Sequence, residues 1–339
     1  MKKKRIDVNE SLGKVLTHDI TGIFPVKFKG PVFKKGHIIK KEDIQKLLKL
    51  GKEKIWILEL SNNEYHEDEA GEKLKKLAGR NVLTRGPSEG KVTFVAKTDG
   101  VLVIEKEIVH KINKIKDILF TTRHSWIPVR KGEELAGIRI VPLATSKKRI
   151  HKVLEMIKNK KPINVLPFKK KKIGLIITGN EVAKGKINDK FKPIIKKKIE
   201  DYGSNIIKTK ILPDNKELIK NEIFSMKKNC NFIILTGGMS VDADDVTPVA
   251  IRESGARIIS YGTPILPGNM ILIAYLKNIP VLGVPACAIY YKITAFDLFL
   301  PLILADIKIT KNQIIERGYG GYCTHCKVCI FPYCGFGKC

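Results

Sequence analysis

From Lys172 onward, apolar strand-like runs and amphipathic helical runs take turns, and such alternation commits a chain to a largely parallel sheet covered by helices. Ile173 to Ile177 reads as a buried strand. Phe191 to Tyr202 places Phe191, Ile194, Ile195 and Ile199 on one helical face, with Gly203 ending it. A strand at Ile206 to Leu212, a helix at Lys216 to Lys228, a strand at Phe232 to Leu235, a helix at Pro248 to Ser254 and a strand at Pro280 to Val284 continue the series. Ligands of such sheets sit beyond the carboxyl ends of the strands. Those ends carry Thr178-Gly179-Asn180-Glu181, Thr236-Gly237-Gly238 and Pro285-Ala286-Cys287, so three loops are expected to converge on one pocket.

The middle loop carries the most chemistry. Residues 232 to 248 read FIILTGGMSVDADDVTP. Gly237 and Gly238 let the backbone approach an anion without side-chain obstruction. Thr247 reads as a helix cap and Pro248 as the first helical residue, and the exposed N–H groups of a helix start favour phosphate. Asp242, Asp244 and Asp245 would repel that phosphate unless a hard cation such as Mg2+ lies between them.

The part before Lys172 has a different grammar. Short β-rich runs at Phe24 to Gly30, Pro31 to Gly36, Lys54 to Leu58, Lys91 to Val95 and Val101 to Glu105 alternate with Gly and Pro, which suggests small β-rich modules. One helix stands out, Asp43 to Leu50, with Ile44, Leu47 and Leu48 on one face and Gly51 as its stop. The polar stretch Ser61 to Glu72 reads as a separator between two modules, and Ser146 to Lys172 as a helix followed by a basic linker. The expected organisation is a β-rich module over 1–60, a second over 61–145, a helix and linker over 146–171, the α/β domain over 172–312 and a Cys-rich tail over 313–339.

The chain has 63 basic and 34 acidic residues, a net formal charge of +29, which favours polyanions, anionic lipids or phosphorylated small molecules. Most of the excess is Lys scattered in runs such as Lys169 to Lys172. Neither stacking aromatics interleaved with charge nor a concentrated Arg face is present, so the charge reads as a solvated surface rather than a nucleic-acid site. A basic nucleic-acid-binding protein stays as an alternative class. Met1 to Arg5 is not followed by an apolar stretch, and the longest apolar run, Ile279 to Tyr291, is too short to span a bilayer; a cytoplasmic location and no membrane partner are the expectation.

Five of the seven cysteines fall in the last 17 residues, at 323, 326, 329, 334 and 339. The spacing C-x2-C-x2-C-x4-C over Cys323, Cys326, Cys329 and Cys334 suits tetrahedral Zn2+ or an iron–sulfur cluster, and spacing does not separate the two. His325 could replace one thiolate but reads as exposed. Cys230 reads as a small buried apolar residue, while Cys287 falls on a pocket loop.

TGNEV at 178–182, LPDN at 212–215, TGGMSVDADDVTP at 236–248, PGNM at 267–270 and VPACA at 284–288 together resemble the molybdopterin-binding domain shared by molybdopterin molybdenumtransferases, molybdopterin adenylyltransferases and gephyrin. The resemblance covers about residues 171–305 and implies a three-layer α/β fold. It also implies that Thr178, Gly179, Asn180 and Glu181 line one wall of a pterin site, and that Thr236, Gly237, Gly238 and Ser240 cradle the terminal phosphate. Met239, Asp242, Pro285 and Ala286 complete the binding positions. Asp245 and Asp214 match acidic positions of the family and are the implied catalytic pair, with Asp244 and Asp245 as Mg2+ ligands. Both acids have a structural role open to them as well: Asp214 as a helix cap with Glu217, Asp245 as a complement to the helix start.

VNESLGKVLTHDI at 8–20 and GPVFKKGHIIKKEDIQKLLKLGKEKIWI at 30–57 are similar to segments of the molybdenumtransferases. Between them, TGIFPVKFK at 21–29 stands where the family carries Ser-x-x-Asp-Gly-Tyr-Ala, and Ala286-Cys287-Ala288 stand where Gly-Asn-Pro is usual. The implied activity is Mg2+-dependent insertion of molybdate, or tungstate, into adenylated molybdopterin. A homodimer and a molybdoenzyme or adenylyltransferase partner are implied in the same way. A noncatalytic molybdopterin-binding or redox-sensing protein is the alternative reading.

Overall fold

A computed structural model describes residues 2–24, 28–239 and 245–338. The chain divides into two compact units, one formed by 1–97, 104–123 and 132–164, the other by 98–103, 124–131 and 165–339.

The second unit is built on a six-stranded sheet. The strands Asn205–Leu212, Lys172–Thr178, Phe232–Thr236, Ile279–Val284, Leu272–Leu276 and Arg257–Tyr261 lie side by side in that order. The first four and the sixth run in one direction and the fifth runs against them, giving the mostly parallel α/β sheet that the alternation implies. Strand pleating sends successive side chains to opposite faces, and both faces are apolar because both are covered. Phe232 and Ile234 join Ile173, Leu175 and Ile177 in one buried cluster with Ile195 and Ile199 of the helix Phe191–Glu200 and with the helix Ala295–Leu304. Ile233 and Leu235 face the other way, onto Ile219, Ile223 and Met226 of Lys216–Met226 and onto Ala250 and Ile251 of Thr247–Glu253. Cys230 is buried in this second layer as expected, its sulfur beside Gly174.

The cysteine-rich end folds back onto the first layer. Cys323 N–H donates to Leu266 O at 2.8 Å and Leu266 N–H to Gly321 O at 2.8 Å. Phe336 is buried in the cluster, with Cys323, Phe331 and Cys334 packed against it. Arg317, itself buried, donates to Gly337 O at 2.6 Å and lies over the Phe299 ring.

The first unit contains several small antiparallel sheets. Lys2–Asp7 and Val15–Leu16 flank Lys54–Glu59; Ile118–Thr122, Glu134–Ile140, Lys91–Ala96 and Val82–Ser88 form a four-stranded sheet. The helix read from Ile44, Leu47 and Leu48 spans Lys41–Lys49, and Gly51 follows it with φ +72°.

Two stretches differ from the sequence reading. Ser61 to Glu72 is no mere separator: Glu64–His66 pairs with Ala144–Ser146, and the helix Glu67–Leu74 follows at once. The stretch after the helix Lys147–Met156 is likewise more than a linker, because Ile163–Pro167 forms a strand with Ile163 and Val165 buried. In both, alternation over so few residues is masked by the Lys, Glu and Pro around it.

Candidate functional site

The parallel registers decide which residues meet. Ile177 is level with Thr236 on the neighbouring strand, and Thr236 with Val284 on the next. The loops starting at Thr178, Thr236 and Pro285 therefore leave the sheet at one rim, and the loop after Leu212 joins them because Thr178 is level with Leu212.

Contacts at this rim are polar and tight. Thr178 and Thr236 are buried, and their strands bring Gly237 so close that a Cβ there would lie 2.0 Å from Thr178 O. Gly237 and Gly238 have φ of +88° and +52°, a conformation natural to glycine. A Cβ at Gly238 would meet Thr247 Oγ1 at 2.9 Å and Asp245 Oδ1 at 3.5 Å, so the loop, the helix start and the acid are packed together. Met239 is buried, and a Cβ at Gly283 would meet its sulfur at 2.6 Å.

Thr247 is not the helix cap. It is the first residue of the helix Thr247–Glu253, preceded by Val246 without a side-chain cap, and Pro248 is the second. Its hydroxyl instead lies 3.1 Å from Thr178 Oγ1, spending its polarity across the rim. The Thr236 hydroxyl is fully buried and has no hydrogen-bond partner among the described residues.

Asp214 and Asn180 form a reciprocal pair. Asn180 N–H donates to Asp214 Oδ2 at 3.0 Å, and Asp214 N–H donates to Asn180 Oδ1 at 3.2 Å. The helix cap proposed for Asp214 is supplied by its neighbour: Asn215 Oδ1 accepts from Leu218 N–H at 3.0 Å. Asp214 is thus free of the capping role and ties two loops of the rim together. Gly179 (φ +146°) caps the short helix Asn180–Ala183, on which Asn180 and Glu181 are exposed. Pro285 is buried and Ala286 exposed at the head of Cys287–Tyr290. Burial pushes the Cys287 thiol above its ordinary pKa, which argues against a thiolate there.

Lys198 was not singled out by sequence, being one Lys in a run of three. Its Nζ reaches Asp297 Oδ1 and Oδ2 at 2.5 and 2.7 Å and Lys292 O at 2.8 Å, which anchors the segment following the third loop. Only its place on the otherwise apolar face with Ile195 and Ile199 could have marked it.

Ser240, Asp242 and Asp244 lie outside the described residues. Among the described residues no group of three or more His, Cys, Asp or Glu side chains stands together as a metal-ligand set. Cys326 is exposed, and Cys323, Cys329 and Cys334 are half-buried free thiols. His325 is exposed as expected, its ring 4.9 Å from that of Tyr291. No helix among the described residues is long and apolar enough to cross a membrane.

Residues 174–305 match the family described as "Probable molybdopterin binding domain", and residues 5–59 match a domain of unknown function. No curated protein matches the chain in sequence. Among solved structures, the chain is similar to the molybdopterin biosynthesis enzyme MoaB of Thermus thermophilus at 15% identity and a TM-score of 0.33, covering 41% of this chain and 98% of that one. It is similar to the tungsten cofactor synthesizing protein MoaB of Pyrococcus furiosus at 20% identity and a TM-score of 0.34, covering 42% and 98%. The molybdopterin biosynthesis protein MoeA of Pyrococcus horikoshii aligns at 15% identity and a TM-score of 0.35, covering 90% of this chain and 75% of that one.

Proposed function

We propose that this chain, whose residues 174–305 belong to the molybdopterin-binding domain family, is an enzyme of molybdenum-cofactor biosynthesis that takes adenylated molybdopterin and inserts molybdate or tungstate in a Mg2+-dependent, molybdenumtransferase-like step. One observation carries the reading: the Thr178, Gly237-Gly238 and Pro285 loops, together with the Asp214 turn, share one rim of the parallel sheet.

Each part of that rim has work to do on such a ligand. The glycines leave backbone N–H groups open to a phosphate. Asn180 and Asp214 hold their two loops at fixed separation, so a flat heterocycle would meet a preformed wall. Carboxylate oxygens of Asp245 beside Gly238, and of Asp214, are hard donors of the kind Mg2+ takes, with Asp242 and Asp244 the further sequence candidates. Bound there, the cation would neutralise phosphate charge and polarise the bond to the nucleotide. The reaction uses none of the tail thiols, whose proposed role is binding zinc or an iron–sulfur cluster.

A binder or sensor without turnover is the second reading, favoured by the exposed Ala286 where the family carries glycine, and by TGIFPVKFK at 21–29. Single-turnover incubation with adenylated molybdopterin, molybdate and Mg2+ separates the two. Release of AMP at a rate abolished by Asp245→Asn supports the enzyme; retention of unchanged ligand supports the binder; no association with the ligand at all overturns both. Anaerobic reconstitution with iron and sulfide, read by visible and EPR spectra, tests the tail, and a colourless protein with stoichiometric zinc would remove the cluster.

A further inference from the structure

Glu67 lies in the first unit, remote in sequence from every loop of the pterin rim. It opens the helix Glu67–Leu74 and is 5% exposed. Two glycines make room for its carboxyl group: a Cβ at Gly36 would lie 2.5 Å from Oε1, and one at Gly90 would lie 3.1 Å from Oε2. Both have positive φ, +87° and +69°. No hydrogen bond to the Glu67 carboxyl occurs among the described residues. The carboxyl group lines a cavity of about 270 Å3 whose other walls include Lys34, Lys35, Arg139, Val141 and Leu143.

The charges around it are uneven. Lys34 is engaged by Glu89 at 2.8 Å, and Arg139 stands 3.9 Å from the same carboxylate. Asp19, also on the wall, accepts from the Lys35 backbone N–H at 2.6 Å. On the helix side, Asp68 holds the Gly90 N–H at 2.9 Å, and the His66 ring is bonded to Gly36 O at 2.9 Å and held below its ordinary pKa by burial. Lys34, Lys35 and Arg139 thus share the wall with Asp19, Glu89 and Glu67, with Asp68 behind Glu67, and a proton on Glu67 removes one negative charge from the cavity. A neutral Glu67 also gains an O–H donor aimed at whatever occupies the space.

We infer that this cavity is a proton-coupled site for a small oxyanion, gripped by Lys35 and Arg139 and hydrogen-bonded by the protonated Glu67 carboxyl. Burial, with the Asp68 charge second and Arg139 opposing, pushes Glu67 up to about 7, so the required proton is available near neutrality. An anion in the cavity raises that value further, and binding therefore takes up a proton.

The test is calorimetric titration of the full chain with sulfate, which does not itself titrate near neutrality, at pH 6 and pH 8 in two buffers of different ionisation enthalpy. Binding at pH 6 that weakens about tenfold by pH 8, with up to one proton taken up per site, is expected. Glu67→Gln keeps a neutral donor and should bind at both pH values with equal affinity, while Arg139→Ala and Lys35→Ala should each lose binding with their melting transitions intact. Acetate in place of sulfate distinguishes a planar from a tetrahedral preference, either of which fits. No binding of sulfate or acetate by wild type or Glu67→Gln at pH 6, or wild-type affinity unchanged with pH, overturns the proposal. So would tightening of Mg2+ with rising pH at these residues, which would mark a cation site.

Discussion

At Gly237 a single hydrogen decides whether the rim can form. The backbone is in the left-handed region and a Cβ would stand 2.0 Å from a carbonyl oxygen of the adjacent strand, an atom that cannot step aside without moving the sheet. Gly237→Ala is expected to cost about 3 kcal/mol, combining positive-φ strain with that collision, and to abolish pterin binding. Gly185 is the internal comparison: its φ is +70° but a Cβ there meets nothing within 4 Å, so Gly185→Ala should cost only about 1 kcal/mol. Urea denaturation of the two variants measures both; equal losses would mean that the close approach to Thr178 carries no weight. Asn180→Ala removes the acceptor for Asp214 N–H but leaves the reverse bond, which predicts about 1 kcal/mol and a larger loss of ligand affinity than of stability.

At the scale of elements, legibility followed the contrast between apolar and polar positions. Phe232–Thr236 was plain from sequence because five successive residues are buried. The helix Glu67–Leu74 was not, since its inward positions are Glu67, Ala70, Gly71 and Leu74, of which only one is large and apolar. The pairing of Asn180 with Asp214 was hidden for another reason: 34 residues separate them, and only the register of the two strands makes them neighbours. Thr247 misled because its composition suits a cap, while a tertiary partner, Thr178, claims its hydroxyl. The tail is an element whose docking was illegible, and it makes a prediction. A Cβ at Gly337 would lie 2.3 Å from a Leu298 methyl, so Gly337→Val should lift the tail from its seat. Cys323 and Cys334, which pack on the core, should then alkylate several-fold faster, with Cys326, already exposed, unchanged. Peptide mass mapping after a timed pulse of iodoacetamide reads this, and uniform acceleration of all three would mean that the tail had unfolded rather than undocked.

For the molecule as a whole, ion pairs exposed on both sides contribute little, Lys34 with Glu89 and Lys216 with Glu253 among them. A buried carboxyl weighs more. Glu67 holds its proton to about pH 7 when folded and only to its ordinary 4.5 when unfolded. Between those values the folded state binds the extra proton, so the contribution of Glu67 to stability is greatest below pH 4.5 and is lost as pH rises towards 7, after which the loss is constant. The size is on the order of 3 kcal/mol, since each pKa unit is worth about 1.4. Arg139 and Lys35 already oppose the shift, so neither changes its sign. Glu67→Gln has no proton to lose, and its stability advantage over wild type should open between pH 4.5 and 7 and stay level beyond. The chain has two tryptophans, Trp56 in the unit that holds Glu67 and Trp126 in the other, so a Trp126→Phe background reports the relevant unfolding alone. A gap between the two proteins that does not vary from pH 4.5 to 8 would show that Glu67 is ionised in the fold throughout, and would remove the proton on which the oxyanion site depends.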